Sequence, residues 1–159
     1  MMTAKVAAQA GELLLNVARF AAHLGFRLRS DGVNAQSLLL PNGSRFVARP
    51  AVQASSRGCS QARFIIIDEA AFVPDEMFKA LSPILAGGGG APWVISTPCG
   101  TGGRFADFWH DRTNDFTKFS LPANDCPRFT PEFLAAERSL YGDLYLAREY
   151  LGQFVTAGI

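Results

Sequence analysis

The hydrophobic and polar positions along the chain change period several times, and each change marks an element. From Ala4 to Leu24, apolar residues Val6, Ala10, Leu13, Leu14, Val17, Phe20 and Ala21 recur at helical spacing, and Gly25 follows. This predicts an amphipathic helix closed by a glycine. Phe26 to Arg29 alternates apolar and basic residues, as a short strand does. Ser37–Leu40 and Ser44–Ala48 flank Pro41-Asn42-Gly43, the pattern of a hairpin. Ala51 to Gln61 is polar and reads as a loop. Phe64 to Ile67 is apolar without alternation, as expected for a strand buried on both faces in a parallel sheet.

Beyond it, Pro74-Asp75-Glu76 opens a helix to about Leu85, with acids in its first turn. Gly87 to Gly90 reads as a turn, and Trp93-Val94-Ile95 as a second short buried strand. Gly103 to Arg112 is patterned as a helix, and Phe116 to Leu121 as a strand nearer the sheet edge. Thr130-Pro131-Glu132 supplies an N-cap, a first-turn proline and an acid for a helix to about Tyr141. Asp143 to Leu151 forms another helix, and Gln153-Phe154-Val155 closes the chain. Strands alternating with helices predict an α/β domain with a mostly parallel sheet flanked by helices.

Composition narrows the class. The 159 residues suffice for one core, and 48% hydrophobic with 18% charged residues is the balance of a globular domain. The net charge of +1 advertises no nucleic-acid binder. Arg27, Arg29, Arg45, Arg49, Arg57 and Arg63 share one stretch, which on charge alone a solvated surface explains better than a basic face. Cys59, Cys99 and Cys126 fit neither a metal pair nor a disulfide framework. With no signal-peptide core and no membrane-length apolar run, the expectation is a soluble protein of a reducing cytosol.

The candidate chemistry lies where the two buried strands end. In open parallel sheets, ligands bind at the carboxyl ends of strands. The first strand delivers Asp68 and Glu69, the second Ser96 and Thr97. A carboxylate at such a tip can hold Mg²⁺ directly or through water. A second beside it can orient or deprotonate the water attacking a γ-phosphate. This is the Walker B pattern, and Ala70-Ala71-Phe72 supplies the acids no charge partner, in keeping with a metal-facing role. Hydroxyls at the neighbouring strand end suit a γ-phosphate sensor, although a capped strand-to-loop turn is the better explanation of Ser96-Thr97-Pro98 when taken alone. Arg57 beside Gly58 reads either as an arginine finger or as an ordinary surface arginine. The glycines of Gly87–Gly90 and Gly100–Gly103 lack a following Lys-Ser or Lys-Thr and read as loops. His23 and His110 are too isolated for metal ligands, and Asp107, Asp111 and Asp115 lack the spacing of a two-metal nuclease.

Taken in order, these segments resemble the ATPase domain of the phage terminase large subunit, the motor that packages DNA. The resemblance runs through Leu40-Pro41-Asn42-Gly43-Ser44, Arg57-Gly58, and Phe64-Ile65-Ile66-Ile67-Asp68-Glu69-Ala70-Ala71-Phe72. It continues through Leu81–Leu85, Ile95-Ser96-Thr97-Pro98-Cys99-Gly100, Gly103-Arg104-Phe105, and Arg148-Glu149-Tyr150-Leu151-Gly152-Gln153-Phe154. It implies a P-loop NTPase fold of the ASCE, RecA-like kind. It implies that Asp68 is the Mg²⁺-binding Walker B aspartate and Glu69 the catalytic glutamate. By the same resemblance Ser96-Thr97-Pro98 is the coupling motif, Arg57 an arginine acting on a neighbouring subunit's nucleotide, and Gln9 an adenine-side residue. ATP and Mg²⁺ are the implied cofactors. Double-stranded DNA, the small subunit and the portal are the implied partners, in a bacterial host cytoplasm.

One departure bears on all of this. No Gly-x-x-x-x-Gly-Lys-Ser/Thr occurs anywhere in the chain. The expectation is therefore a single partial ATPase domain over residues 1–159, beginning after the P-loop and stopping before the nuclease domain. Such a fragment, from a phage or prophage, would be inactive alone and open to self-association through unpaired strand edges. Two further readings stand beside it: half of a split ATPase completed by a separate P-loop polypeptide, and a non-enzymatic remnant that binds DNA or a terminase partner.

Overall fold

A computed structural model describes residues 1–4, 7–30, 37–50 and 61–156. They fall into two compact units, Met1–Ile95 and Ser96–Ile159.

The first unit is built on a six-stranded sheet in the order β2-β3-β4-β1-β5-β6. Its strands are β1 (Met2–Ala4), β2 (Arg29–Ser30), β3 (Ser37–Leu39), β4 (Arg45–Pro50), β5 (Phe64–Ile67) and β6 (Ala91–Val94). Strands β4, β1, β5 and β6 run parallel, while β2, β3 and β4 form an antiparallel flank. The mostly parallel α/β architecture expected from the sequence is the observed one. The predicted hairpin is present as β3 and β4. Leu40 N–H donates to Ser44 O at 2.8 Å, and the Asn42 side chain accepts from Ser44 N–H at 3.0 Å.

Two details of the N-terminal reading need correction. The helix predicted over Ala4 to Leu24 is present as α1 (Ala7–His23), but Ala4 belongs to a strand before it, β1. Met2 and Ala4 carry the same apolar signal in either state, and only pairing with β4 and β5 decides between them. The strand expected at Phe26–Arg29 begins later, at Arg29.

The core explains the register. Met2, Ala4 and Ala48 share one face of the sheet and pack with Ala10 and Leu14 of α1. Phe46, Leu38 and Ile66 border this cluster. On the opposite face Thr3, Ile65 and Ile67 are buried in turn, so β1 is covered on both sides, whereas the full burial expected of Phe64–Ile67 and Trp93–Ile95 is not found: Phe64 and Trp93 are more than half exposed. A strand shifted by one residue would exchange these faces.

Helix α2 (Asp75–Gly88) carries Asp75 and Glu76 in its first turn and buries Leu81 and Ile84. It runs further than the sequence suggests, and Gly89 ends it in the left-handed conformation, with φ 60°. The glycine run is a packing device. A Cβ at Gly88 would lie 2.3 Å from Ala62 O, and one at Gly90 2.1 Å from Arg63 O. Only glycine lets the helix end approach the start of β5 so closely.

The second unit is helical: α3 (Arg104–His110), α4 (Pro131–Tyr141) and α5 (Asp143–Glu149). Thr130 caps α4 as predicted, its hydroxyl accepting from Phe133 N–H at 3.2 Å. The strand expected at Phe116–Leu121 is not formed; Phe119 and Leu121 are largely exposed, and the alternation there serves no sheet. Gln153–Val155 is also irregular, but Phe154 is anchored. Its ring stacks on Phe105 at 5.8 Å and meets Trp109 and His110 from the same helix.

Candidate functional site

The four parallel strands direct their carboxyl ends to one edge of the sheet. Thr3 of β1 is level with Arg49 of β4 and with Ile67 of β5, and Ile67 is level with Val94 of β6. The chain leaves β5 at Asp68, which stands at this edge between the ends of β1 and β6. Asp68 N–H still donates to Thr3 O at 2.9 Å, so its backbone is fixed to β1.

Glu69 follows in the left-handed conformation, φ 53° and ψ 42°. It is the one described residue other than glycine with positive φ. Such geometry is unfavourable for a side-chain-bearing residue and persists only where surrounding bonds enforce it. Here a short 3₁₀ turn over Ala70–Phe72 begins at once, and Phe72 N–H closes back on Glu69 O at 2.9 Å. Both acids are half-buried, and one Glu69 carboxylate oxygen is shielded from solvent. The pair is thus set at a rigid strand end rather than on a free loop.

The other sequence candidates are distributed as follows. Gln9 lies in the first turn of α1, half-buried, its Oε1 shielded and without a hydrogen bond among the described residues. Ser96, Thr97 and Pro98 open the second unit. Pro98 is buried, and Ser96 Oγ donates to Thr97 O at 2.8 Å. Arg57 lies outside the described residues, as does Cys59. Asp68 and Glu69 are therefore the candidates brought together within one unit.

Three features escaped the sequence reading. Thr3 is wholly buried in the strand beside β5, and its hydroxyl has no partner among the described residues. The backbone of Glu69 is left-handed, and the backbone of Ile95 bonds to both ends of the acidic turn. Backbone geometry leaves no pattern in side-chain type, so no periodicity signals the last two.

Chemically, two hard carboxylate oxygens at a strand end suit a divalent cation that keeps most of its water. Among the described residues no group of three His, Cys, Asp or Glu side chains is arranged to hold a metal by itself. No described helix is long and apolar enough to cross a membrane.

Solved structures of similar shape are large terminases. The chain is 22% identical to the ATPase domain of the Thermus phage P74-26 large terminase, with a TM-score of 0.62, covering 97% of this chain and 75% of that one. The large terminase of a second, thermophilic bacteriophage, in complex with ATP-γ-S, aligns at a TM-score of 0.77 and 16% identity, covering 97% of this chain and 39% of that one. Its complex with ADP aligns at 0.73 and 18%, covering 40% of that chain. This second terminase is thus matched over less than half its length. At these identities the likeness establishes the fold. No curated protein matches the chain. A family model does, over residues 15–158: terminase large subunit, T4likevirus-type, N-terminal. With most of its length inside that match, the chain belongs to the terminase large subunit family.

Proposed function

We propose that this chain carries the Walker B half of a terminase ATPase core, serving ATP-driven packaging of viral DNA in a bacterial host cytoplasm. The observation that carries the reading is the Asp68–Glu69 pair, fixed at the carboxyl end of a parallel strand in which Ile65 and Ile67 are buried. Asp68 would hold Mg²⁺, which would supply charge neutralisation to the nucleotide phosphates. Glu69 orients the attacking water and accepts its proton. Ser96, Thr97 and Pro98 form the coupling segment, Arg57 acts on a neighbouring subunit's nucleotide, and Gln9 lies on the adenine side. Duplex DNA, a small subunit and a portal are the partners of the assembled motor.

By itself the chain does not hydrolyse ATP. A phosphate loop supplies a nest of backbone N–H groups and a lysine to the β- and γ-phosphates, and no such motif occurs in the sequence. Two carboxylates without those anchors repel a nucleotide's phosphates more than they hold them. Calorimetric titration of the chain with Mg-ATP is expected to give no measurable heat of binding. Micromolar affinity would overturn this reading.

One observation favours completion by polypeptide outside these 159 residues, in cis or as a separate chain. Strand β6 is an edge of the described sheet. Phe64, Trp93 and Ile95 have the strand parity of Ile66, which borders the core under α1, yet are 55%, 59% and 52% exposed. An apolar face beside an open edge is the surface a further strand and helix would cover.

A further inference from the structure

In a regular parallel ladder, a residue that donates its N–H to residue i of its neighbour accepts a bond from residue i+2. Ile95 N–H donates to Ile67 O at 2.9 Å, so the regular donor to Ile95 O is residue 69. The observed donor is Ala70, at 3.0 Å. One extra residue therefore separates the two bonds. Asp68 keeps its ladder position toward β1 through the bond to Thr3 O, which leaves Glu69 as the inserted residue. Its left-handed backbone is one of the conformations such an insertion takes, and Ala70, 1% exposed, closes it.

The insertion has a consequence for the side chains. In an unbroken strand, adjacent residues point to opposite faces, so Asp68 and Glu69 would diverge. A bulge breaks that alternation and re-aims the residue it contains. We infer that this one-residue bulge is the device that sets the Glu69 carboxylate beside that of Asp68, with Ala70 as the positioning residue through its bond to Ile95. The inference rests on the reading of Asp68 and Glu69 as the metal and water-activating pair.

Ala70→Pro tests it directly, because proline has no N–H to donate to Ile95 O, while both carboxylates stay. The variant should fold, and its affinity for Mn²⁺, read from paramagnetic broadening of amide resonances at residues 68–69, should fall at least tenfold. Unchanged Mn²⁺ affinity, or failure of the variant to fold, overturns the proposal. A second series reads the backbone alone: Glu69→Gly should melt at or above the parent temperature, and Glu69→Val several degrees below it. Equal melting of the two overturns the bulge. If the unaltered chain binds no Mn²⁺ while the melting order holds, the assignment of the pair fails and the bulge stands.

Discussion

The two units of this chain are held together by different means. In the first, β5 and α2 bury aliphatic side chains almost completely: Ile65, Ile67 and Leu81 lie at or below 2% exposure. In the second, α4 and α5 bury no residue fully, and large side chains such as Leu140, Tyr141 and Leu144 are more than half exposed. Its cohesion comes from ring contacts and polar closures. Phe129, Phe133 and Tyr150 meet pairwise at 5.8 Å, and Tyr150 donates its hydroxyl to Glu137 at 2.9 Å. Arg138 pairs with Asp143 across the junction of the helices, on the exposed surface. Burial of aliphatic area is worth more than half-exposed ring contacts or surface ion pairs. The contrast teaches that the acidic pair is mounted on the tightly packed unit, where a strained backbone can be sustained.

This contrast can be broken or sharpened by mutation. The largest effect is expected from Ile67→Ala, which removes a buried side chain directly before the acids. It should cost about 2–5 kcal/mol in urea unfolding followed by a first-unit probe such as Trp93 fluorescence. Phe154→Ala removes the ring set against Phe105, Trp109 and His110. It should cost about 2 kcal/mol, in the transition reported by second-unit amides in exchange experiments. If Phe154→Ala shifts the first-unit probe as much as Ile67→Ala does, the contrast fails.

Smaller effects refine it. Thr130→Ala loses the cap on Phe133 N–H and should cost about 1 kcal/mol, with faster exchange confined to the first turn of α4.

A final check uses pH. Donation to Glu137, aided by partial burial, pushes the Tyr150 hydroxyl up to about 12 from its ordinary 10.0. A raised value in the folded state means the contribution is complete below pH 10 and is lost as pH rises through about 12. The second unit should therefore weaken over that window, and Tyr150→Phe should flatten the dependence. A slope unchanged by Tyr150→Phe would assign the loss to another group.

The sequence by itself determined the class of fold and placed two acids directly after an apolar strand. Four apolar residues before Asp68 and Glu69 mark a strand of a parallel sheet, although only Ile65 and Ile67 are fully buried in it, and the Pro41-Asn42-Gly43 turn and the Thr130 cap are local signals written in residue type. Tertiary structure decided what residue type leaves degenerate. Met2-Thr3-Ala4 is a strand because β4 and β5 stand on either side to accept its bonds. Phe116–Leu121 has strand alternation and no neighbour, so it forms none. The glycines at 88 and 90 read as a flexible turn, and contact with Ala62 and Arg63 makes them packing residues. The bulge at Glu69 belongs to the same class. It is fixed by hydrogen bonds that Asp68 and Ala70 donate to the carbonyls of Thr3 on one side and Ile95 on the other, residues distant in sequence whose backbone atoms carry no side-chain signature.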